Sequence, residues 1–411
     1  MFCTTLLQTD KFIRMATDTQ TIKTLLHRGV DEVIVFDHLK ARLEKGDKLR
    51  VKFGIDPTSP HLHLGHTVVL RKLRQFQDAG HQAVLIIGDA TAEIGDPTGR
   101  SEARKRLTTE EIDENKKTYL EQVSKILDMK TLEVRHNGEW FHKMSVAEFL
   151  GLTSLVTVQQ VLQREDFKAR IDDPEHPLSA IELSYPVMQG YDSVIVKADV
   201  ELGGVDQKLN VLMGRRLQRK FGQEEQDILT VPLLMGTDGE RKMSKSFGNS
   251  IALQDDPNEM FAKVMSIPDP QIIPYFELLT EVSFGEIQDM KVAMGDGANP
   301  RDFKARLGEE IVKIFYSASD AQAARAEFDQ IFKEGALPDD ILEVKLDAIM
   351  SIVDALVATK LAPSKSEARR LIDGGGVKVN EEVVRDYDFA IDPATKPLLQ
   401  KGKRFFVRII Y

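Results

Sequence analysis

Cysteine is nearly absent from the chain: Cys3 is alone among 411 residues. A disulfide framework and a thiolate metal site are thereby excluded, and a reducing, cytoplasmic setting is the expectation. No uninterrupted apolar run approaches about 18 residues, so no membrane partner is expected, and the N-terminus lacks an apolar core of signal-peptide length. Met15 opens "MATDTQ" and offers an alternative start, so the residues before it are expected to be a disordered extension. Internal repeats and low-complexity segments are missing as well. Positive charge is short: the formal net charge is -10, which excludes a uniformly basic nucleic-acid binder. Its distribution is uneven. From Lys345 to Tyr411 twelve Lys and Arg face nine Asp and Glu, a net of +3, which leaves -13 for the rest. A mildly basic tail on an acidic body suits local contact with a polyanion as well as it suits an unevenly solvated surface.

What is present is ordinary in bulk, with 42% hydrophobic and 29% charged residues and room for two or three domains. Residues 49–55, "LRVKFGI", alternate as a half-buried strand, and "DPTSP" follows as turn chemistry. From His66, the spacing of Val69, Leu70, Leu73 and Phe76 predicts a helix that Gly80 stops. "AVLII" (83–87) is a short apolar strand that opens into "GDATAEIGDPTG". This βαβ rhythm predicts an α/β fold with a parallel sheet, to which 193–200 and 227–236 are expected to add strands. Residues 253–335 carry helical patterns, "EGALPDD" (334–340) resembles a linker, and the tail is a small α+β unit. In that tail Ser364 and Glu367 form a capping box, and "VKVN" and "RFFVRII" are predicted strands. The expected domains are therefore 1–30 (extension and first helix), 31–250 (catalytic), 251–335 (helical) and 336–411 (linker and small module).

Two stretches carry chemistry. "PHLHLGH" crowds His61, His63 and His66, three of the nine histidines, into one turn. Read alone, this spacing suits a metal site, a phosphate cradle at a helix N-terminus, or capping and packing side chains. "GERKMSKSFGN" (239–249) places Lys242 and Lys245 on a glycine-bounded loop. Such a loop is either a solvated face or a pair of ammonium groups that close over a triphosphate.

Together, His63-Leu64-Gly65-His66 and Lys242-Met243-Ser244-Lys245-Ser246 resemble the HIGH and KMSKS signatures of class I aminoacyl-tRNA synthetases, the first with Leu for Ile. The resemblance implies a Rossmann-like parallel-sheet catalytic domain, then a helical anticodon-side domain, then a small α+β RNA-binding module. It makes His63, Gly65 and His66 nucleotide ligands and gives His61 no role. "YPVMQGYDS" puts Tyr185, Gln189 and Asp192 on one face of a helix that Pro186 starts. That face resembles the amino-acid-binding helix of tyrosyl-tRNA synthetases, in which the tyrosine and glutamine hold the substrate's amino group and the aspartate accepts from its phenol.

The same resemblance gives Asp96 to the amino group, Arg100 and Arg104 to pyrophosphate, Gly204, Asp206 and Gln207 to the ribose and adenylate, and Asp56 and Thr58 to the active site. It implies catalysis by Thr58, His63, His66, Lys242, Lys245, Arg100 and Arg104, with Lys245 also on ATP. Where many family members carry a tyrosine that helps bind the phenol, this chain has Lys52, which is left to bridge Asp192, touch the phenol or face solvent. Arg369, Arg370 and Lys378 are the RNA-binding candidates of the tail. The implied partners are tRNA(Tyr), L-tyrosine and ATP with Mg²⁺, a second copy of the chain, and no tightly bound metal. Three other readings compete: a zinc hydrolase on the three histidines, a non-catalytic RNA-binding protein, and a tryptophan-specific ligase, against which Gln189 and the tail argue.

Overall fold

The computed structural model describes residues 17–96, 108–333, 341–346, 348–402 and 405–411. Its first sheet contains β1 (Glu32–Ile34), β2 (Arg50–Ile55), β3 (Gln82–Ile87), β4 (Glu133–His136), β5 (Val200–Gly204) and β6 (Asp227–Val231). Their spatial order is β1-β6-β5-β2-β3-β4. Every pair is parallel except β1 on β6. The apolar runs of β3 and β6 are buried nearly throughout, as strands covered on both faces must be. From β2 the chain winds outward through β3 and β4, then returns to the other side of β2 through β5 and β6. That reversal opens a crevice beyond the carboxyl ends of the central strands.

Helix α1 (Leu64–Asp78) begins two residues before the position that its apolar spacing suggests. His63 is its N-cap: the His63 ring accepts from the Gly65 N–H, and the His66 ring accepts from the His63 N–H. A capping box usually made by Ser and Glu is here made by two imidazoles. Helix α2 (Asp89–Ile94) follows β3. Helix α3 (Tyr185–Val196) corrects the predicted strand 193–200. Its last turn holds Ser193 to Val196, Lys197 ends it in the left-handed region at φ 51°, and only Val200 enters β5. A short apolar run suits either period, and Val187 and Val194 pack against Met213 and Leu217 of α4 (Lys208–Lys220). The predicted strand 227–236 likewise stops at Val231, because Pro232 has no N–H to give the ladder.

Five helices follow: Pro257–Met265, Ile272–Leu279, Phe284–Gly295, Pro300–Phe315 and Ala318–Lys333. Up to Ala321 they belong to one compact unit with the sheet, and Gln322–Tyr411 form a second unit. In the second unit the predicted helix spans Lys365–Asp373, capped by Ser364, which accepts from the Glu367 N–H. The predicted strands are Val377–Val379 and Phe405–Ile410, within a five-stranded sheet. Ile352, Leu356, Ala368, Ile372, Leu399 and Ile409 form its core. The expected linker, 334–340, lies outside the described residues. Among the described residues no helix is long and apolar enough to cross a membrane.

Candidate active site

A cavity of about 260 Å³ opens where β2, β3 and β5 end. Nine residues singled out in the sequence line it: Asp56, Thr58, His66, Asp96, Tyr185, Gln189, Asp192, Asp206 and Gln207. Strand-end loops supply Asp56 and Asp206, and the face of α3 supplies Tyr185, Gln189 and Asp192. Of the Gly203–Gly204 pair, Gly203 lines the wall with Gly54 and Gly88, while a Cβ on Gly204 would meet Oδ1 of Asp206.

One end of the cavity is a set of interlocked polar groups. The Tyr185 hydroxyl donates to Oδ2 of Asp56 at 2.9 Å, and Thr91 donates to Oδ1 at 2.8 Å. Gly88 is required there, because a Cβ would run into Oδ1 of Asp56 and Oγ1 of Thr91. The Gln207 amide donates to Asp96 at 2.8 Å and is itself held by Asn210. Asp192 is buried, and its Oδ1 accepts the indole N–H of Trp140 at 3.0 Å while Oδ2 faces the Asn137 amide at 3.4 Å. Burial pushes its carboxyl up to about 7, against the opposing pull of Lys52 and of the Asn137 and Trp140 donors. Of the options left open for Lys52, burial excludes solvent, and its ion pair is made with Glu201 rather than Asp192. Fully buried beneath α3, it bonds the Gln189 main-chain oxygen, Ser193 and Glu201.

Of the two signatures, His66 lines the cavity, and the lysine loop meets its lining at Asp206. The rings of His63 and His66 lie 3.9 Å apart between centroids. Each uses Nδ1 to accept a backbone N–H, which puts the ring proton on Nε2. Burial, with the neighbouring His66 and Lys245, lowers His63 to about 2, so its ring is a neutral donor. A Cβ on Gly65 would sit 2.9 Å from the His63 ring, so glycine is needed there for histidine packing as much as for ligand approach. Asn249 shapes the lysine loop by accepting from the Ser244 N–H and donating to Asp238. From that loop Lys242 reaches Oδ2 of Asp206 at 2.8 Å, and Lys245 donates to Ser59 at 2.7 Å. Burial lowers Lys245 from the usual lysine range. The two signatures are also joined through the backbone, by Leu64 N–H to Ile251 O and Leu253 N–H to Leu62 O.

His61 is exposed, and no three His, Cys, Asp or Glu side chains among the described residues are grouped as metal ligands. Arg100 and Arg104 lie outside the described residues. Arg369 and Arg370 are exposed on the helix of the second unit, and Lys378 is half-buried on the strand after it. Sequence reasoning missed Gly88, Thr91, Asn137, Trp140 and Glu201. Two signals were available: Asn137 and Trp140 follow the end of a strand, and Trp140 is the sole tryptophan.

Residues 44–333 match the family described as tRNA synthetases class I (W and Y), and residues 350–395 match the S4 domain. A tyrosine–tRNA ligase of Carboxydothermus hydrogenoformans is 48% identical over 399 residues, covering 94% of this chain and 97% of that protein. One from Thermotoga maritima is 47% identical over 386 residues, covering 94% and 96%. Among solved structures, a C-terminally truncated mitochondrial tyrosyl-tRNA synthetase of Aspergillus nidulans superposes with a TM-score of 0.63 at 22% identity, over 76% of this chain and 94% of that one. Plasmodium falciparum tryptophanyl-tRNA synthetase does so with 0.58 at 15%, over 75% and 88%. At such identities the structural likeness shows the fold alone.

Proposed function

The chain belongs to the tyrosine–tRNA ligases of the class I tRNA synthetases, and on that footing we propose how its cavity carries out the family's reaction. The activity has two steps. The tyrosine carboxylate attacks the α-phosphate of ATP, giving tyrosyl-adenylate and pyrophosphate, and the acyl group then passes to the terminal ribose of the tRNA. The tryptophan-specific alternative is not favoured, since the high-coverage relatives are tyrosine enzymes.

Tyrosine lies along α3, with its phenol donating to Asp192 and its ammonium held by Tyr185, Gln189 and Asp96. Asp56 takes part through Tyr185, whose hydroxyl it fixes. Asp206, Gln207 and Gly204 receive the ribose and adenylate. The Nε2–H groups of His63 and His66, with Thr58 and Gly65, meet the phosphates at the N-terminus of α1. Lys242 and Lys245, with Arg100 and Arg104, stabilise the charge that builds on the departing pyrophosphate. No covalent enzyme intermediate is needed, because positioning and electrostatics supply the catalysis. Mg²⁺ arrives with ATP, bound through its phosphates rather than by a protein cage.

The domains divide as 1–30, 31–250, 251–335 and 336–411, and Arg369, Arg370 and Lys378 contact tRNA backbone. The enzyme works in the cytoplasm as a homodimer, a reading favoured by the exposed Val146, Leu150 and Val158.

The observation that carries these assignments is the convergence of Tyr185, Gln189 and Asp192 with His66 of the first signature on the cavity at the strand-order reversal, where Lys242 of the second signature reaches the lining residue Asp206. The test is amino-acid-dependent ATP–pyrophosphate exchange with all twenty amino acids. Exchange with tyrosine alone is expected; exchange driven by tryptophan, or none, overturns the reading.

A further inference from the structure

Beneath the cavity lies a charged pair that does not line it. Lys52 on β2 and Glu201 on β5 face each other in register on adjacent parallel strands. Their side chains are 0% and 1% exposed, and Nζ meets Oε1 at 2.9 Å. Lys52 directs its two remaining bonds to the Gln189 main-chain oxygen at 2.9 Å and to Ser193 Oγ at 2.8 Å. Glu201 accepts from four donors. Oε1 takes Lys52 and the Gln189 Nε2 at 3.4 Å, and Oε2 takes Ser193 Oγ at 2.9 Å and the Gln226 amide. Gly214 of α4 lets that helix close over the cluster, since a Cβ there would meet Gln226 Nε2, Ser193 Oγ and Glu201 Oε2.

Gln189 is the cluster member that also lines the cavity. An amide has a donor end and an acceptor end, and the two look alike in shape. Glu201 breaks that ambiguity: a carboxylate ringed by donors offers only acceptors, so the amide nitrogen turns toward it and the carbonyl oxygen is left for the cavity. An ammonium group needs that acceptor, and the opposite orientation would set N–H against N–H. A buried carboxylate alone would be badly solvated, and Lys52 supplies its counter-charge while gripping the same turn of α3 through the Gln189 carbonyl.

We infer that the Lys52–Glu201 pair is a positioning device that holds the Gln189 amide with its oxygen toward the substrate, so that the cavity selects for an α-ammonium group. This rests on the placing of Gln189 at the substrate's ammonium. Neither residue touches substrate. Lys52 thus serves the end of the amino acid opposite the phenol.

The test uses the full-length protein with Glu201→Gln, whose amide can offer either end to Gln189. The charge-free double variant Lys52→Met/Glu201→Gln removes the cost of an unpaired buried lysine. Tyrosine-dependent ATP–pyrophosphate exchange gives KM and kcat, and competition by 3-(4-hydroxyphenyl)propionate, which lacks the amino group, gives the affinity for the rest of the substrate. The KM for tyrosine should rise about tenfold or more, as for a lost hydrogen bond to a charged group. The kcat, the affinity for the amino-free competitor and the preference for tyrosine over phenylalanine should stay near wild type. In a Gln189→Ala background the same changes should add nothing further. Equal weakening of tyrosine and the competitor, or no change in either, overturns the inference. Wild-type exchange with tyrosine is the separate control, and its absence would overturn the functional reading itself.

Discussion

The indole N–H of Trp140 donates to Oδ1 of Asp192 at 3.0 Å, so the sole tryptophan stands behind the carboxylate assigned to the substrate phenol. Burial already raises this carboxyl to about 7, and its ionised form is the stronger acceptor for a phenol. The kcat/KM for tyrosine should therefore rise as pH increases through about 7. Trp140→Phe removes a donor that favours the ionised form, which moves that limb to higher pH. At pH 7 the variant should lose about tenfold or more in kcat/KM. A pH profile of exchange checks this, and an unmoved limb would count against the role given to Asp192.

Lys245 lies 2.7 Å from Ser59 beside the first signature and is assigned to charge that develops on pyrophosphate. Lys245→Ala should slow adenylate formation by about 10²–10³-fold with little effect on tyrosine binding, because the interaction strengthens only in the transition state. Pre-steady-state measurement of adenylate formation separates the two. A change confined to the tyrosine dissociation constant would remove the lysine from catalysis.

Gly88→Ala tests the interlock around Asp56. The new methyl group would collide with the Asp56 carboxylate and the Thr91 hydroxyl, displacing the group that fixes the Tyr185 phenol. Overpacking of this kind costs about 1–3 kcal/mol. The loss should be visible both in the urea midpoint and as a raised KM for tyrosine. Wild-type values for both would show that Asp56 has room to yield.

In the second unit, Arg369→Glu with Arg370→Glu should leave tyrosine-dependent exchange intact and lower tRNA charging. The slope of log affinity for tRNA against log salt should become shallower by about one for each phosphate that the protein no longer neutralises. Equal loss of exchange and charging would mean that the substitutions act on the fold instead.

Much of the fold was legible in sequence, because periodicity and turn chemistry are local. Strand 49–55, the helix after the histidines and the serine cap at Ser364 each follow from residues within a few positions of one another. Segment 193–200 departs from its expected strand for the same reason: its short apolar run fits a buried strand and a buried helix end equally, and the packing of α3 on α4 decides between them. Of the site, the signature loops and the face of α3 were legible, since their spacing alone puts the polar groups together. Asn137, Trp140 and Thr91 were not, because each takes its role from a partner dozens of positions away.

By itself the sequence determined which groups are available: two imidazoles at a helix start, two lysines on a glycine-bounded loop, and a tyrosine, an amide and a carboxylate at helical spacing. Those are properties of chemical type and local period. Only the tertiary structure decided what each group faces. It made His63 a neutral cap through burial, put Lys242 on Asp206, backed Asp192 with Trp140, and took Lys52 out of the cavity to pair with Glu201. The physical reason lies in the sheet. Lys52 and Glu201 are 149 positions apart in the chain, and the reversal of strand order that sets β5 beside β2 leaves no trace in the residues near either one.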